Sequence, residues 1–284
     1  MSSMTVLVLG SGGREHALAL ACHRDPEVAA VHVAPGNPGT ASFATNHPLD
    51  PCDCDAVVSL ARGLEADLVV VGPEAPLVAG VADALRESGI DCFGPSAEAA
   101  QLEGSKAFAK EVMAAARVPT AASRSCDDAN SVSAALDEFG PPYVVKDDGL
   151  AGGKGVVVTH DRAEALAHAK RCFESDHRVV VEEYLDGPEV SLFAICDGTR
   201  ALPMQPAQDF KRVGNGGVGP NTGGMGAYTP LPWAPDDLVE TVSTTIISPT
   251  LRAMADRGTP FVGLLYVGLA LTSAGPKVVE FNVR

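Results

Sequence analysis

The sequence predicts an α/β fold whose N-terminal part is built on a parallel sheet. Short apolar runs alternate with helical patterns through the first hundred residues. Glycine and proline mark the connections between them, and a strand–helix alternation with short loops implies a parallel sheet covered on both faces. Further along, residues 143 to 159 read as a strand, a glycine-rich loop and a second strand. The whole chain therefore belongs to the α/β class.

Three loops follow strands of the predicted N-terminal sheet, and they should gather at its carboxyl edge, where ligands bind in open α/β folds. Arg14, Asn37 and Glu74 lie in these loops and would face one crevice. Glu74, between two prolines, fits equally well as a charge at a helix start. The predicted strands are Thr5–Leu9, Val28–Val33, Leu68–Val71 and Ile90–Phe93, and the predicted helices are Ala17–Cys22, Asp53–Leu64 and Leu77–Ser88.

The composition suits a globular protein of two or three domains, with 284 residues of which 46% are hydrophobic and 20% charged. A formal net charge of −15 argues against a nucleic-acid partner, because binding to the phosphate backbone needs a basic face. The longest apolar run, Phe261–Leu271, is too short to span a bilayer. We expect no membrane partner and a cytoplasmic location, with the seven cysteines as reduced thiols.

The first glycine turn, Gly10-Ser-Gly-Gly-Arg-Glu-His16, leads from a strand into a helix. Such a turn is typical of an anion site, because helix N-terminal N–H groups attract negative charge. It is a poor dinucleotide fingerprint, since the third glycine of that pattern would fall at Glu15. Gly12, Gly13 and Arg14 therefore favour a phosphate site for a ligand other than NAD. A plain tight turn is the alternative.

The second glycine-rich loop, between Lys146 and Gly155, carries four glycines and is bracketed by two lysines, Lys146 and Lys154. Backbone N–H groups and two ammonium groups make a cradle for phosphate oxygens, whereas an ordinary hairpin needs one turn glycine. The Walker pattern fails because Gly155 stands where Ser or Thr is required, and the kinase pattern fails because Lys146 precedes the loop. The four glycines are Gly149, Gly152, Gly153 and Gly155.

Residues 179 to 189 read as a strand that ends in two carboxylates, followed by a turn and a third carboxylate. Extended backbone after a strand can pair with the edge of a purine, and a carboxylate can bind the hydroxyls of a ribose. The glycine-rich stretch Asp209–Tyr228 is predicted as a long functional loop. The remaining predicted elements are the helices Ser105–Ala116, Ala129–Phe139, Asp161–Cys172 and Asp236–Asp256 and a closing hairpin of Phe261–Leu271 with Lys277–Arg284.

The last strand places Glu280, Asn282 and Arg284 on one face and apolar residues on the other. A carboxylate and an amide oxygen two residues apart suit Mg²⁺ that bridges nucleotide phosphates. A solvated face is the alternative for this pattern.

Taken together, these stretches resemble the ATP-grasp superfamily and, within it, the glycinamide ribonucleotide synthetase family. The resemblance covers essentially the whole chain. It is carried by Gly10–Ala17, Ala34–Thr40, Val71–Leu77, Gln101–Phe108, Asp209–Val213, Gly219–Tyr228 and Val279–Asn282.

The resemblance implies an ATP-dependent carbon–nitrogen ligase of purine biosynthesis. Glycine would attack ATP to give glycyl phosphate and ADP, and the amine of 5-phosphoribosylamine would then displace phosphate. The implied cofactors are ATP and Mg²⁺ or Mn²⁺, the implied partners are these small molecules, and a monomer is expected. Alternatives are another ATP-grasp carboxylate–amine ligase, an ATP-dependent carboxylase, or a catalytically incomplete ATP-binding fragment.

The resemblance also implies roles for individual residues. ATP would be bound by Lys106, Lys146, Gly152, Gly153, Lys154, Gly155, Glu182, Glu183, Tyr184, Leu185 and Glu189. The ribose-phosphate substrate or glycine would be bound by Gly12, Gly13, Arg14, Asn37, Glu74 and Asp209, and the metal by Glu280 and Asn282. Lys146, Lys211 and Arg284 are the implied catalytic residues.

The same resemblance implies a domain plan and three departures from the family pattern. An N-terminal Rossmann-like domain would span 1–103, a partial ATP-grasp domain 104–122 with 194–284, and a lid subdomain 123–193. Asp147 and Gly152 stand where the family commonly has alanine, and Val283 replaces a usual cysteine. Family members continue beyond the position of Arg284, so we expect the ATP-grasp fold to be incomplete at the C-terminus.

Overall fold

The chain divides into two compact units. None of the helices in the described ranges has the length and apolar character that crossing a bilayer requires. The computed structural model describes residues 3–150, 155–175, 177–216 and 218–284, with the backbone alone at 220, 221 and 223. The first unit is Met1–Ala100 with Phe261–Leu264 and Val283–Arg284, and the second is Gln101–Pro260 with Leu265–Asn282.

The first unit is built on a parallel sheet of five strands in the order β3-β2-β1-β4-β5, which confirms the predicted parallel sheet. The central strand β1 is apolar and buried from Val6 to Leu9, as expected of a strand covered on both faces. The strands are β1 Met4–Gly10, β2 Val28–Pro35, β3 Thr45–Asn46, β4 Leu68–Val71 and β5 Cys92–Phe93. The helices are α1 Gly13–Arg24, α2 Cys54–Gly63, α3 Glu74–Val78, α4 Val81–Glu87 and α5 Ala97–Gly104, with a 3₁₀ turn at Thr40–Ser42.

Two helices of this unit differ from the prediction. Helix α1 begins at Gly13 rather than at Ala17, because the Glu15 carboxylate accepts the Gly12 N–H and caps the first turn. The predicted helix Leu77–Ser88 is two helices, α3 and α4. They are separated at Gly80, whose φ of 94° lies in the left-handed region that interrupts a helix.

The second unit contains an antiparallel sheet of four strands in the order β6-β9-β7-β8. Two helices, α7 and α8, pack their apolar faces on it around Val145 and Val181. Helix α6, Lys106–Ala116, precedes this sheet. The elements of the sheet and its cover are β6 Ser123–Cys126, α7 Ala129–Phe139, β7 Tyr143–Asp147, β8 Val156–Thr159, α8 Arg162–Glu174 and β9 Val179–Glu182.

A second sheet of four strands has the order β11-β10-β14-β15. The predicted helix Asp236–Asp256 is a helical segment with a π turn at its centre, beside Pro249. Proline lacks an N–H and crowds the preceding turn, and a widened turn accommodates both effects. The elements are β10 Glu189–Asp197, β11 Ala201–Pro203, α9 Leu238–Val242, the π turn Ser243–Ile247, α10 Ser248–Asp256, β14 Val262–Thr272 and β15 Gly275–Val283.

The stretch predicted as a long loop, Asp209–Tyr228, is instead an antiparallel ribbon of two strands, β12 (Gln208–Gly214) and β13 (Val218–Tyr228). That prediction was wrong because the many glycines hide the strand pattern. The ring of Phe210 stacks on Tyr228 across the ribbon at a centroid distance of 6.0 Å. Diagonal aromatic pairs of this kind stabilise antiparallel strands, and here they support a ribbon whose register is irregular.

Candidate active site

The N-terminus of α6 holds the start of the second glycine-rich loop. Ser105 Oγ and the backbone N–H of Ala107 both donate to Asp148 Oδ1 at 3.0 Å, so this carboxylate caps the helix. Lys106 Nζ donates to the carbonyl oxygen of Gly149 at 3.0 Å. The predicted phosphate-binding lysine Lys106 therefore lies against the loop that was predicted to cradle phosphate.

Lys146 lies on β7 and is buried, with 5% of its surface exposed. Its Nζ lies 2.8 Å from Glu182 Oε2 on the neighbouring strand β9 and donates to the carbonyl oxygen of Val279 at 2.9 Å. Glu182 is also buried, and its Oε1 lies 3.0 Å from Lys110 Nζ. One buried carboxylate is thus shared by two ammonium groups.

This arrangement bears on the predicted role of Glu182. Sequence reasoning placed its residue in the segment that receives adenine, but its side chain is committed to an internal ion pair. Sequence reasoning also missed Lys110. The available signal was its spacing from Lys106, because residues four apart share one face of a helix.

Burial lowers the pKa of both lysines on α6 below the ordinary lysine value. Attraction to Glu280 opposes this effect at Lys106, and attraction to Glu182 opposes it at Lys110. The physical cause is the same in both cases, since removing an ammonium group from water disfavours its charged form.

A cleft in the second unit is lined by Lys211 and three carboxylates. Lys211 Nζ lies 3.9 Å from an oxygen of Glu189, 3.9 Å from an oxygen of Asp209 and 4.0 Å from an oxygen of Glu280. Burial alone would lower the pKa of Lys211, but attraction to Tyr266 and to these carboxylates raises it. Lys211 therefore stays protonated beside these carboxylates.

Tyr266 and Ser191 also line this cleft, and sequence reasoning missed them both. Ser191 Oγ donates to the Tyr266 hydroxyl oxygen at 3.2 Å. Burial raises the pKa of Tyr266, so its hydroxyl remains a neutral donor beside Lys211.

The predicted adenine-binding segment follows β9. Glu183 Oε1 accepts the Ala122 N–H at 3.1 Å and pairs with Lys277 Nζ at 3.0 Å, and these contacts hold the pKa of that carboxyl low, the Ala122 N–H contributing most. Tyr184 is half-exposed. At Gly187, with a φ of 96°, a Cβ would lie 2.2 Å from the Leu271 carbonyl oxygen, so only glycine fits this turn.

The predicted metal ligands Glu280 and Asn282 lie two residues apart on β15, and both are partly buried. Their oxygens are the donor type that Mg²⁺ prefers, and Glu280 borders a cleft that also contains Asp209 and Glu189. Within the described residues, no group of three or more His, Cys, Asp or Glu side chains is placed to hold a metal ion. This donor set fits a Mg²⁺ ion that takes most of its ligands from phosphates and water.

At the edge of the first unit, hydrogen bonds join the three loops that were predicted to gather there. Arg14 Nη1 donates to the Gly72 carbonyl oxygen at 2.8 Å, and Asn37 Nδ2 donates to the Ser11 carbonyl oxygen at 3.0 Å. Glu74 pairs with Arg284 at 2.9 Å within the same unit. Arg14 lies in the first turn of α1, and Glu74 is the first residue of α3, as the helix-start alternative for it expected. The segments after the three strands thus contact one another, and the roles of Arg14, Asn37 and Glu74 toward substrate remain predictions.

The glycines of this edge have a specific packing reason. A Cβ at Gly72 would lie 2.4 Å from Glu15 Oε1, and one at Gly10 would lie 2.4 Å from Glu15 Cγ. Glu15 is buried, and its Oε2 accepts the Gly12 N–H at 2.7 Å. This N–H, predicted as part of an anion site, is therefore satisfied internally. A Cβ at Gly13 would meet nothing within 4 Å, so Gly13 borders open space.

Comparisons with known proteins decide the family. Residues 4–103 match the description "Phosphoribosylglycinamide synthetase, N domain", and residues 104–284 match "Phosphoribosylglycinamide synthetase, ATP-grasp (A) domain". The chain belongs to the phosphoribosylglycinamide synthetase family. Sequence reasoning had identified this family from its motifs, and that identification is confirmed.

Individual members of the phosphoribosylglycinamide synthetase family are highly similar to the chain. A phosphoribosylamine–glycine ligase of Streptomyces coelicolor is 63% identical over 99% of this chain and 67% of its own length. One of Mycobacterium leprae is 59% identical, over 99% and 68%. The crystal structure of the Thermotoga maritima ligase, 33% identical, superposes with a TM-score of 0.85 over 99% of this chain and 68% of that one.

These matches confirm the predicted α/β class with an ATP-grasp fold for this chain. The division into an N-terminal domain, an ATP-grasp domain and a lid subdomain stays a prediction. Gly152, Gly153 and Lys154 of the glycine-rich loop lie outside the described residues. Gly155 is described, and its carbonyl oxygen accepts the Asp147 N–H at 2.7 Å.

Proposed function

We propose that the chain joins glycine to 5-phosphoribosylamine with the hydrolysis energy of ATP and forms glycinamide ribonucleotide, ADP and phosphate. The observation that carries the proposal is the pair of lysines, Lys106 and Lys146, beside the start of the glycine-rich loop, in the same unit as a cleft that holds Lys211 among carboxylates. The ligase names of its relatives and their high identity to the chain support the same reaction.

In the first step, a carboxylate oxygen of glycine attacks the γ-phosphorus of ATP, and the bond to the β-phosphate oxygen breaks to release ADP. Lys106 and Lys146 would hold phosphate oxygens, and Lys211, which stays protonated, would stabilise charge on the forming acyl phosphate. The glycine amino group would lie near Asp209. Positioning and charge stabilisation suffice for this chemistry, which needs no covalent enzyme intermediate.

In the second step, the amine nitrogen of phosphoribosylamine attacks the acyl carbon, and phosphate leaves with the oxygen that came from glycine. The nitrogen loses a proton in this step, and the leaving phosphate takes it up to depart as HPO₄²⁻. We assign the ribose-phosphate substrate to the loop edge that contains Gly13, Arg14, Asn37 and Glu74. Arg284, which pairs with Glu74, would be a second cation for that substrate.

Glu280 and Asn282 would hold Mg²⁺ or Mn²⁺, which when bound neutralises charge on the transferring phosphoryl group. The purine would lie on the segment of Glu183, Tyr184 and Leu185, and Glu189 would take the ribose hydroxyls. A monomeric state and a cytoplasmic location stay predictions.

The test uses the full chain with ATP, Mg²⁺, freshly prepared phosphoribosylamine and glycine labelled with ¹⁸O in its carboxylate. We expect ADP to form only when glycine and the amine are both present. We also expect ³¹P spectroscopy to show one ¹⁸O atom in the released phosphate, because the glycine oxygen that attacks the γ-phosphorus leaves with it.

Any of three results would overturn this proposal. Turnover with bicarbonate in place of glycine would assign the chain to the ATP-dependent carboxylases. ATP binding without any turnover would mean that the chain is a catalytically incomplete nucleotide-binding fragment. Unlabelled phosphate in an active reaction would exclude the acyl phosphate route.

A further inference from the structure

The carboxylate of Glu182 is one member of a ring of hydrogen bonds and ion pairs. The Val278 carbonyl oxygen accepts the Thr120 hydroxyl at 2.7 Å, and Lys110 Nζ donates to Thr120 Oγ1 at 2.9 Å. The two oxygens of Glu182 then bind Lys110 at 3.0 Å and Lys146 at 2.8 Å. Lys146 closes the ring on the carbonyl oxygen of Val279, which is adjacent to Val278 in the chain.

The two lysines of this ring differ in their remaining capacity to donate. An ammonium group has three N–H donors. Lys110 uses three, toward Thr120 Oγ1, the Ala121 carbonyl oxygen at 2.8 Å and Glu182. Lys146 has two acceptors among the described residues, Glu182 and the Val279 carbonyl oxygen. Within the part of the chain that the structure describes, one donor of Lys146 is therefore left for a ligand, while Lys110 is saturated.

Lys110, Lys146 and Glu182 form a lysine cluster, and its charges also indicate that Lys146 is available to an anionic ligand. Two ammonium groups share one carboxylate, and the side chains of Lys110, Lys146 and Glu182 are only 12%, 6% and 4% exposed. A buried excess of one positive charge is unfavourable unless an anion neutralises it. A phosphate bound by the remaining donor of Lys146 would supply that anion.

We propose that Lys110 is a positioning residue that fixes the Lys146 ammonium group for phosphate binding through their shared carboxylate, Glu182. Thr120 anchors Lys110 to β15, the strand that carries Glu280 and Asn282. The ring thereby fixes the position of Lys146 relative to the backbone of that strand. This inference rests on the proposed role of Lys146 in binding ATP phosphates.

The test compares ATP with adenosine, which lacks phosphates, as ligands of the full chain in calorimetric titrations. In Lys110→Met, Lys146 becomes the single counter-ion of Glu182 and is drawn away from the ligand. We expect the Kd for ATP to rise roughly tenfold, the size of one lost charge-assisted hydrogen bond, while the Kd for adenosine stays unchanged. Lys170→Met, on an exposed lysine of α8, is the matched control and should alter neither value.

Thr120→Val provides a second variant that removes no charge, in case Lys110→Met does not fold. It deletes the hydroxyl that links Lys110 to Val278 and should weaken ATP binding less than Lys110→Met, again without affecting adenosine. Thr120→Ser, which keeps the hydroxyl, should restore the wild-type affinity.

Two outcomes would overturn the positioning role. One is parallel loss of ATP and adenosine affinity, which would indicate a merely structural ion pair. The other is unchanged ATP affinity in Lys110→Met, or in Thr120→Val where Lys110→Met is unfolded. A wild-type chain that does not bind ATP at all would instead refute the proposed function.

Discussion

The loop edge of the first unit and the lysine cluster of the second are both rich in polar side chains, but they differ in what those side chains bind. At the edge, Arg14 and Asn37 donate to backbone carbonyls, and Glu15 caps its own helix. In the cluster, Lys110 and Lys146 bind a shared carboxylate. The edge is held in shape by neutral backbone groups and by the balanced ion pair of Glu74 with Arg284, whereas the cluster keeps an excess of positive charge that an anionic ligand can neutralise.

The difference also changes how the glycines are understood. Gly10 and Gly72 leave room for the buried Glu15 side chain, and Gly10 also has a φ of 124°, so packing and backbone conformation account for them. Glycine beside a strand end is therefore weak evidence for a phosphate site unless the space it leaves is open. Excess buried charge is the stronger indication, and it lies in the second unit.

The largest expected effect concerns the shared carboxylate. Glu182→Ala leaves two lysines buried without a counter-charge and should lower the free energy of unfolding by about 3–5 kcal/mol. The matched control is Glu174→Ala, which removes the partner of Lys170 at 3.8 Å on the surface and should cost less than about 1 kcal/mol. Urea denaturation of both variants measures the difference.

If Glu182→Ala lowered the free energy of unfolding as little as Glu174→Ala, the cluster would be solvated. The two regions would then not differ in buried charge. A large loss in both variants would point instead to a general sensitivity of this unit to charge removal.

Much of the fold follows from local sequence patterns. The parallel sheet of the first unit is signalled by apolar runs between glycine turns, and Lys146 is placed on a strand before its loop by the same reasoning. The ribbon β12–β13 was missed because its glycines resemble a loop. A ribbon of this kind depends on cross-strand pairs such as Phe210 with Tyr228, which a local pattern does not show.

The site is harder to predict than the fold because its decisive contacts are distant in sequence. The spacing of Lys106 and Lys110 indicates a shared helix face, but it does not indicate that Glu182 lies opposite. The burial of Glu15 was missed for a different reason, since charged residues are rarely buried and no local signal marks the exceptions.

The second prediction tests the packing role of the edge glycines. In Gly72→Ala the new Cβ would lie 2.4 Å from Glu15 Oε1 and 2.3 Å from Glu15 Cγ, a contact that forces the buried carboxylate to shift. We expect a loss of about 1–3 kcal/mol in the free energy of unfolding, the usual range for overpacking. Thermal and urea unfolding of the variant measure it.

The control for this variant is Gly63→Ala at the end of α2, where a Cβ would meet nothing within 4 Å. It should be neutral or slightly stabilising, since alanine favours a helix. If Gly72→Ala left the free energy of unfolding unchanged, Glu15 would be able to move freely, and the edge would be less rigid than the cluster.

The third prediction concerns how the affinity for ATP depends on pH through Lys106, which lies on the same helix as Lys110. Because burial lowers the pKa of Lys106 below the ordinary value of 10.5, this lysine loses its proton earlier than an exposed lysine as pH rises. ATP affinity should be constant below that lowered pKa and then fall by up to about tenfold per pH unit, as the charged form disappears. Titrations with ATP from neutral to alkaline pH measure this limb.

Lys106→Arg provides the discriminating variant, because a guanidinium stays charged throughout this range. Its alkaline limb should begin at higher pH than in the wild-type chain. An identical limb in both proteins would assign the titration to another group, and Lys110, whose pKa burial also lowers, would be the next to test.

The smallest expected effect on stability is that of a change at Gly13, which distinguishes a packing role of the edge from a role in ligand binding. Gly13 begins α1, and a Cβ there would meet nothing within 4 Å, so Gly13→Ala should stabilise the first unit by up to about 1 kcal/mol. If the open space receives the ribose-phosphate substrate, the KM for phosphoribosylamine should nevertheless rise while the KM for ATP stays unchanged. Steady-state kinetics with each substrate varied in turn distinguishes these values. An unchanged KM for the amine would reduce the first glycine turn to a plain tight turn around Glu15, and the substrate phosphate would then have to be bound by Arg14 or Arg284 without it.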